Sequence, residues 1–161
     1  MKTFVVAAIS LLTLPVLPPG AAAAEFDSSS RALVEREATA FLASYLDILQ
    51  GEDPEAIRGL YAQEGRLAWF TDGEKRYASA DEVIASLASM EGTTLSTETS
   101  DLEVIGLAPH LVHARSAFHT KLSQGGAVVY EFSGVITWLL EKDAGGSWRV
   151  LTGHTSTPKT R

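Results

Sequence analysis

The chain has no cysteine among its 161 residues. Disulfide bonds, thiolate metal ligands and cysteine nucleophiles are therefore excluded, and stability has to come from side-chain packing. Basic residues are also scarce: 13 Lys and Arg stand against 20 Asp and Glu, a formal net charge of −7. An acidic chain without a basic cluster disfavours nucleic acids and anionic membranes as partners. We therefore expect no nucleic-acid partner.

The first 24 residues differ in composition from the rest of the chain. Lys2 precedes an apolar run over residues 4–17, and small residues lead up to Ala24. This order is typical of a secretory signal peptide that is cleaved after Ala24. Pro15 cuts the run below the ~20 residues that a membrane span needs. We therefore expect an exported protein, periplasmic or secreted, with no membrane attachment after cleavage and a formal charge of −8 once Lys2 is lost.

Three helices are predicted after a short polar lead over residues 25–30. The first begins at Arg31 and ends at Gly51, and its apolar residues recur at helical spacing: Val34, Ala38, Phe41, Leu42, Tyr45, Leu46 and Leu49. Asp53 and Pro54 are a helix-opening pair. A capping box, Ser79-Ala80-Asp81-Glu82, starts the third helix, whose predicted inner face is Val83, Ile84, Leu87 and Met90.

The remainder of the chain has the pattern of β-strands. They are predicted roughly over residues 94–107, 111–123, 128–141 and 147–156, in addition to a hairpin around Asp72-Gly73-Glu74. Helices followed by a run of antiparallel strands predict a single α+β domain over residues 31–158.

The turn glycines suggest which residues share a face of the sheet. If Gly125-Gly126 is a two-residue hairpin turn, His113 lies opposite Trp138, and Arg115 lies opposite Ile136. A second hairpin, pairing Glu141 with Ser147, then aligns Trp138 with Val150 and adds His154 to the same face. A register error of one residue would exchange the two faces.

The predicted face mixes aromatic and apolar side chains with a few polar ones, as ligand pockets do. Arg115 and His113 would hold a carboxylate, enolate or carbonyl oxygen; alternatively, Arg115 pairs with Glu103 or Glu131 at an exposed sheet edge. His154 is either a general base near neutral pH or a structural residue at the pocket rim. His113 and His119 are roughly 20 Å apart at ~3.3 Å per strand residue, too far to share an ion. No metal and no cofactor are expected.

Three short segments, in this order, resemble the nuclear transport factor 2-like superfamily in its SnoaL-like branch. They are the helix end from Tyr45 to Asp53, the helix end Leu60-Tyr61-Ala62, and Trp148 followed by His154-Thr155-Ser156. The resemblance covers residues 31–158. It implies a cone-shaped fold, in which helices and a strongly curved, mainly antiparallel sheet enclose an apolar pocket. It also implies a homodimer formed through the outer face of the sheet.

The superfamily's ketosteroid isomerases allow a comparison of chemistry. Tyr45 matches their oxyanion-hole tyrosine, but their catalytic aspartate falls at Trp69 here. Their second acid falls near Ile136 and Trp138, where the chain has no carboxylate. Because proton abstraction needs a base within reach of its target, we do not expect the isomerase mechanism in this chain.

The chain is also similar to the association domain of calcium/calmodulin-dependent kinases. Arg115 matches one of the arginines of that family's pocket, whereas Ile136 and Thr155 stand near the positions of two others. An anion clamp of several guanidinium groups is therefore not expected.

The sequence thus predicts an exported, dimeric domain that binds a small, largely apolar ligand. The expected ligand-binding residues are Tyr45, Trp69, His113, Arg115, Tyr130, Trp138 and His154. Two alternatives remain open. One is an enzyme that performs proton-transfer or hydrolytic chemistry with His154 or His113 as its base. The other is a dimeric interaction module without catalysis.

Overall fold

The computed structural model describes residues 26–51, 53–63, 65–90 and 92–158, so the predicted signal peptide lies outside the described residues. The described part of the chain has three helices and six strands. In chain order they are α1 (Ser28–Gln50), α2 (Pro54–Arg58), β1 (Ala68–Thr71), β2 (Glu74–Tyr77), α3 (Ala80–Ala88), β3 (Thr93–Ala108), β4 (Leu111–Gln124), β5 (Ala127–Lys142) and β6 (Trp148–Ser156). The predicted α+β class with three helices is confirmed.

The six strands form one sheet in the order β2-β1-β6-β5-β4-β3. Neighbouring strands are antiparallel except β1 and β6, which run parallel. The sheet is curled but not closed. Its inner face packs with the three helices around one hydrophobic core, and the opposite face is called the outer face below. None of the described helices combines the length and the hydropathy needed to span a membrane.

Side-chain caps set where each helix begins. The Asp27 carboxylate accepts a hydrogen bond from the Ser30 amide at 2.7 Å, so α1 starts at Ser28, inside the predicted polar lead. Asp53 caps α2 in the same way. The N-cap of α3 is confirmed, since Ser79 accepts from the Glu82 amide. The Glu82 carboxylate reaches back as predicted, but it accepts from the amide of Ala78, one residue before the cap.

The hairpin between β4 and β5 turns at Gly125-Gly126, as predicted, with Gln124 opposite Ala127. A β-bulge follows at once: Ser123 pairs with Val128, whereas Leu122 pairs with Tyr130, which leaves Val129 without a partner. A bulge adds one residue to one strand only. Every pair beyond it is therefore shifted by one residue.

The shift overturns the predicted cross-strand pairs. His113 lies opposite Leu139 rather than Trp138, and Arg115 lies opposite Thr137 rather than Ile136. Because side chains alternate between faces along a strand, His113 and Arg115 project from the outer face. Trp138, opposite Ala114, projects into the core.

The predicted pairing of Glu141 with Ser147 is wrong, because the strands pair from Lys142 and Trp148 onward and Glu141 lies opposite Arg149. A second bulge, between Leu139 and Leu140, shifts the pairs beyond it by one further residue. Trp138 lies opposite Gly153 rather than the predicted Val150, and Thr137 lies opposite His154. Gly153 is in turn the parallel neighbour of Trp69 on β1. One inner-face row therefore crosses the sheet, and its members are Trp69, Gly153, Trp138, Ala114 and Val104.

Candidate functional site

Aromatic side chains fill the core between α1 and the sheet. The hydroxyls of Tyr45 and Tyr61 are hydrogen-bonded at 2.9 Å, and both residues are buried. The ring of Trp138 stands edge-on to Tyr45, with 6.1 Å between centroids. The structure thus brings together two residues of the predicted site, Tyr45 and Trp138, and places Trp69 in the same inner-face row.

The chemistry of the tyrosine pair is set by burial. Burial and the adjacent Tyr61 hydroxyl raise the pKa of Tyr45 well above its ordinary value, and burial also raises the pKa of Tyr61. Both phenols are therefore protonated near neutral pH, and neither can act there as a general base. The Nε1 atom of Trp138 is buried, and the interaction of Trp138 with the Tyr45 hydroxyl acts in the opposite direction to burial, lowering the pKa of Tyr45. This cluster can donate hydrogen bonds, but it offers no base.

The predicted polar end of the site lies on the other side of the sheet. On the outer face, Arg115 of β4 lies opposite Thr137 of β5, which lies opposite His154 of β6. His113 lies two residues before Arg115, on the same face of β4. The guanidinium of Arg115 pairs with Glu103, and its side chain is 60% exposed. The predicted residues His113, Arg115 and His154 do share a face. The prediction that Trp138 shares it is wrong, because the bulge exchanges the two faces of β4 relative to β5.

Tyr130 lies near the turn end of β5 and is 60% exposed. It pairs with Leu122, which belongs to the inner-face series of β4. The ring of Tyr130 is 5.4 Å from that of Phe132, centroid to centroid. The structure therefore places Tyr130 on the inner face, at the solvent-exposed end of the β4–β5 hairpin.

His119 contacts two polar side chains that the sequence did not indicate. Its Nδ1 atom lies 2.8 Å from the Ser133 hydroxyl, and its Nε2 atom lies 2.9 Å from a Glu131 carboxylate oxygen. Serine, histidine and carboxylate occur in this order in nucleophilic triads. This set lies on the outer face, however, with Ser133 and Glu131 exposed, and it lines neither of the two grooves described below. This set was not predicted from the sequence, because the predicted register placed His119 opposite Phe132, whereas in the structure it lies opposite Ser133.

A groove of about 410 Å³ lies between the ends of the helices and the start of β3. Its apolar lining residues come from all three helices, from the turn after α3 and from β3: Leu49, Pro54, Ile57, Ile84, Leu87, Ala88, Met90 and Leu95. We call it the helix groove. The helical pattern placed Ile84, Leu87 and Met90 on the core side of α3, but all three are only partly buried and line this groove instead. No other sequence pattern indicates this groove, because its walls are far apart along the chain.

The polar side chains among the described lining residues of the helix groove are few and uncharged. Gln50, Thr93 and Thr94 contribute them, and the described lining residues include no ionisable side chain. The amide of Gln50 donates to the Leu46 carbonyl at 3.2 Å, which orients it at the end of α1. An apolar recess with a few neutral polar groups suits an uncharged, largely apolar ligand.

A second, shallower groove of about 530 Å³ lies between α1 and the loop that joins β5 and β6. Charged side chains line it, but they already form ion pairs with other side chains of the protein. Lys142 donates to Glu37 at 2.5 Å and lies 5.1 Å from the Trp148 ring centroid, and Arg149 donates to Asp143 at 2.9 Å. Although larger, this groove is therefore the weaker candidate. In the described part of the chain, no three His, Asp or Glu side chains are grouped closely enough to hold a metal ion.

The chain matches no protein-family model and no curated protein sequence. Solved structures resemble it in fold. A nuclear transport factor 2-like superfamily protein from Salmonella enterica serovar Typhimurium has a TM-score of 0.67 and 15% identity, over 80% of this chain and 94% of that one. A putative scytalone dehydratase from Novosphingobium aromaticivorans has a TM-score of 0.68 and 12% identity, over 84% and 91%.

A ketosteroid isomerase-like protein from Erwinia carotovora atroseptica has a TM-score of 0.57 and 21% identity, over 83% of this chain and 100% of that one. The predicted likeness to the nuclear transport factor 2-like superfamily is thus confirmed at the level of the fold. These neighbours include enzyme-like proteins, and they support a pocket-containing domain.

Proposed function

We propose that the protein binds a small, uncharged and largely apolar molecule in the helix groove. The observation that carries this proposal is the lining: among the described residues, eight apolar side chains surround about 410 Å³, together with three neutral polar residues. Ligand sites in proteins have volumes of roughly 300–1,000 Å³ and similar linings. The resemblance to pocket-containing folds supports the same proposal.

Filling the groove tests this proposal. Ala88 lines the groove at the end of α3 and is exposed, so Ala88→Trp adds bulk there without opening a cavity in the core. We expect it to weaken binding of the uncharged fluorescent probe N-phenyl-1-naphthylamine at least tenfold. Ala85→Trp is the matched control, because Ala85 is exposed on the same helix but does not line the groove. Equal binding by both variants would contradict the proposal.

Binding is favoured over catalysis because the described lining of the helix groove has no group that could take a proton. His113 and His154, the predicted bases, project from the outer face. General acid–base chemistry requires hydrogen-bond reach between the base and the reacting atom. Proton-transfer chemistry by these histidines would thus require a substrate on the outer face.

We further propose that the outer face forms a homodimer interface. Ile105 and Val135 are exposed there at 38% and 49%, with His113, Leu139 and Thr137 between them. Exposed apolar side chains that cluster on one face mark interaction surfaces. A two-fold axis would bring this patch onto its own copy. Val135→Lys should shift the sedimentation coefficient to that of a monomer. Leu33→Lys, at a 44% exposed leucine on α1, should not.

We propose export of the chain on the basis of residues 1–24. Secretion from a bacterial host and mass measurement of the recovered protein would test it. The expected mature chain begins at Glu25. Recovery of the uncleaved chain from the cytoplasm alone would count against export.

A further inference from the structure

We propose that the ligand of the helix groove is an elongated apolar chain, and that its outer part lies on the exposed end of the β4–β5 hairpin. This inference rests on the proposed function and deepens it. The surface concerned, called the aromatic shelf here, consists of Leu122, Tyr130 and Phe132 on the inner face of the sheet.

The groove and the shelf share one row of residues. Leu95 lines the groove and is the cross-strand partner of Leu122, which is the partner of Tyr130. Neighbouring strands lie about 4.8 Å apart, so the row runs about 10 Å from the groove wall to Tyr130. An apolar chain that leaves the groove past Leu95 therefore continues directly onto the shelf.

Aromatic contacts connect the shelf to the core. Tyr130 lies 5.4 Å from Phe132, and Phe132 stands edge-on to Phe118 at 5.8 Å, measured between centroids. Phe118 is only 6% exposed, whereas Tyr130 is 60% exposed. Aromatic side chains thus follow the inner face from the core to its exposed end, where Tyr130 presents a ring with a hydroxyl to water.

The shelf is exposed because its neighbouring strand stops short. The pairing of β5 with β6 ends where Val135 meets Ser156, so residues 127–134 pair with β4 alone. Of the shelf residues, Tyr130 is 60% exposed, the highest value among the large apolar side chains of the described residues, and Leu122 and Phe132 beside it are only partly buried. Contiguous exposed apolar surface is a feature of binding sites.

The charge pattern identifies the class of ligand. Lys121 and Glu131, the charged residues beside the shelf, project from the outer face. The hydroxyls of Thr97 and Thr120, which lie on the inner face, are hydrogen-bonded to each other at 2.9 Å. The described residues that form the floor from Leu95 to Tyr130 therefore include no Asp, Glu, Lys, Arg or His side chain. A compact ligand would leave this floor in water, whereas an unbranched hydrocarbon chain covers both the groove and the shelf.

A series of normal alkanols, from 1-hexanol to 1-dodecanol, tests the inference by displacement of N-phenyl-1-naphthylamine. Each buried methylene contributes about 0.8 kcal/mol, roughly a fourfold gain in affinity. We expect this gain to continue to the longest alkanol in the unmodified protein and to stop at a shorter chain in Tyr130→Ser. Tyr130→Phe should retain the long-chain gain, and so should Leu33→Ser, a control at an exposed leucine on α1.

The outcomes separate this inference from the proposed function. If the alkanols bind but Tyr130→Ser shows the same chain-length dependence, the shelf is not used and the inference fails, while the helix groove remains a ligand site. If neither the probe nor any alkanol binds, the proposed function fails as well. If Tyr130→Ser instead dissociates a dimer and leaves the chain-length dependence unchanged, a second copy covers the shelf and the inference is wrong.

Discussion

The indole ring of Trp69 lies directly over the backbone of Gly153. A Cβ atom at position 153 would come within 2.1 Å of two ring carbons, closer than non-bonded carbon atoms can approach. Gly153 is also the cross-strand partner of Trp138. The missing side chain of a single glycine therefore allows two tryptophans to occupy one inner-face row of the sheet.

Gly153→Ala should destabilise the fold because the Trp69 ring would have to move. Overpacking a core typically costs 1–3 kcal/mol, and for this contact we expect about 3 kcal/mol, measured by urea unfolding. Trp69→Leu supplies the control: in that background the alanine should cost much less, since the ring is gone. If Gly153→Ala lowers the free energy of unfolding equally with and without Trp69→Leu, the contact between the ring and residue 153 does not limit the packing.

The local elements could be predicted from the sequence, and the faces of the sheet could not. The N-cap at Ser79, the Asp53–Pro54 helix start and the Gly125-Gly126 turn are all encoded within a few residues, and all three are confirmed. The bulge at Val129 has no comparable signature, since any residue can occupy it. One unpaired residue was enough to exchange the faces on which His113 and Arg115 were placed.

The candidate groove escaped prediction for a different reason. Leu49, Leu87 and Leu95 belong to three elements, and each occurs in an ordinary apolar pattern that indicates core. Only the packing shows that these residues stop short of full burial. Helical periodicity identifies the side of a helix that faces the protein, but it does not distinguish a filled interior from a recess.

The tyrosine pair should behave as one unit when its hydroxyls are removed. Tyr45→Phe leaves the buried Tyr61 hydroxyl without its partner, which costs about 1–3 kcal/mol. Removing both hydroxyls avoids that unpaired group. We therefore expect the double variant, Tyr45→Phe with Tyr61→Phe, to lose less stability than the two single variants together. Chemical denaturation of all four proteins measures the coupling; additive losses would contradict it.

The same pair predicts a loss of stability in alkali. Burial raises the pKa of Tyr45 and of Tyr61 above the ordinary value of 10.0. Above pH 10 the unfolded chain therefore releases protons that the folded chain retains, so the free energy of unfolding falls as pH rises, by up to about 1.4 kcal/mol per pH unit for each tyrosine. Below pH 10 this contribution is fully present. Unfolding curves between pH 8 and 11 should show the decline, and Tyr45→Phe should make it shallower.

The outer-face residues should be dispensable for ligand binding. Arg115→Ala and His154→Ala change side chains on the face opposite the helix groove. The dissociation constant of N-phenyl-1-naphthylamine should stay within about twofold in both variants, since neither residue contacts the proposed site. The exposed ion pair between Arg115 and Glu103 contributes at most about 1 kcal/mol to stability, so both variants should fold. A tenfold loss of probe binding in either variant would move the ligand site to the outer face.

Deletion of Val129 should leave the rest of the sheet unchanged. On one side of the bulge Tyr130 pairs with Leu122, and on the other Val128 pairs with Ser123. Without Val129 these pairs become consecutive, and the faces still alternate correctly, with Tyr130 on the inner face and Val128 on the outer face. We expect a melting temperature within a few degrees of that of the full chain. Deletion of Gly134 instead would shift residues 127–133 by one position against β4 and turn Phe132 away from Phe118, and that variant should lose several kcal/mol. Similar stability of the two deletions would show that the register on β4 is not held by the core.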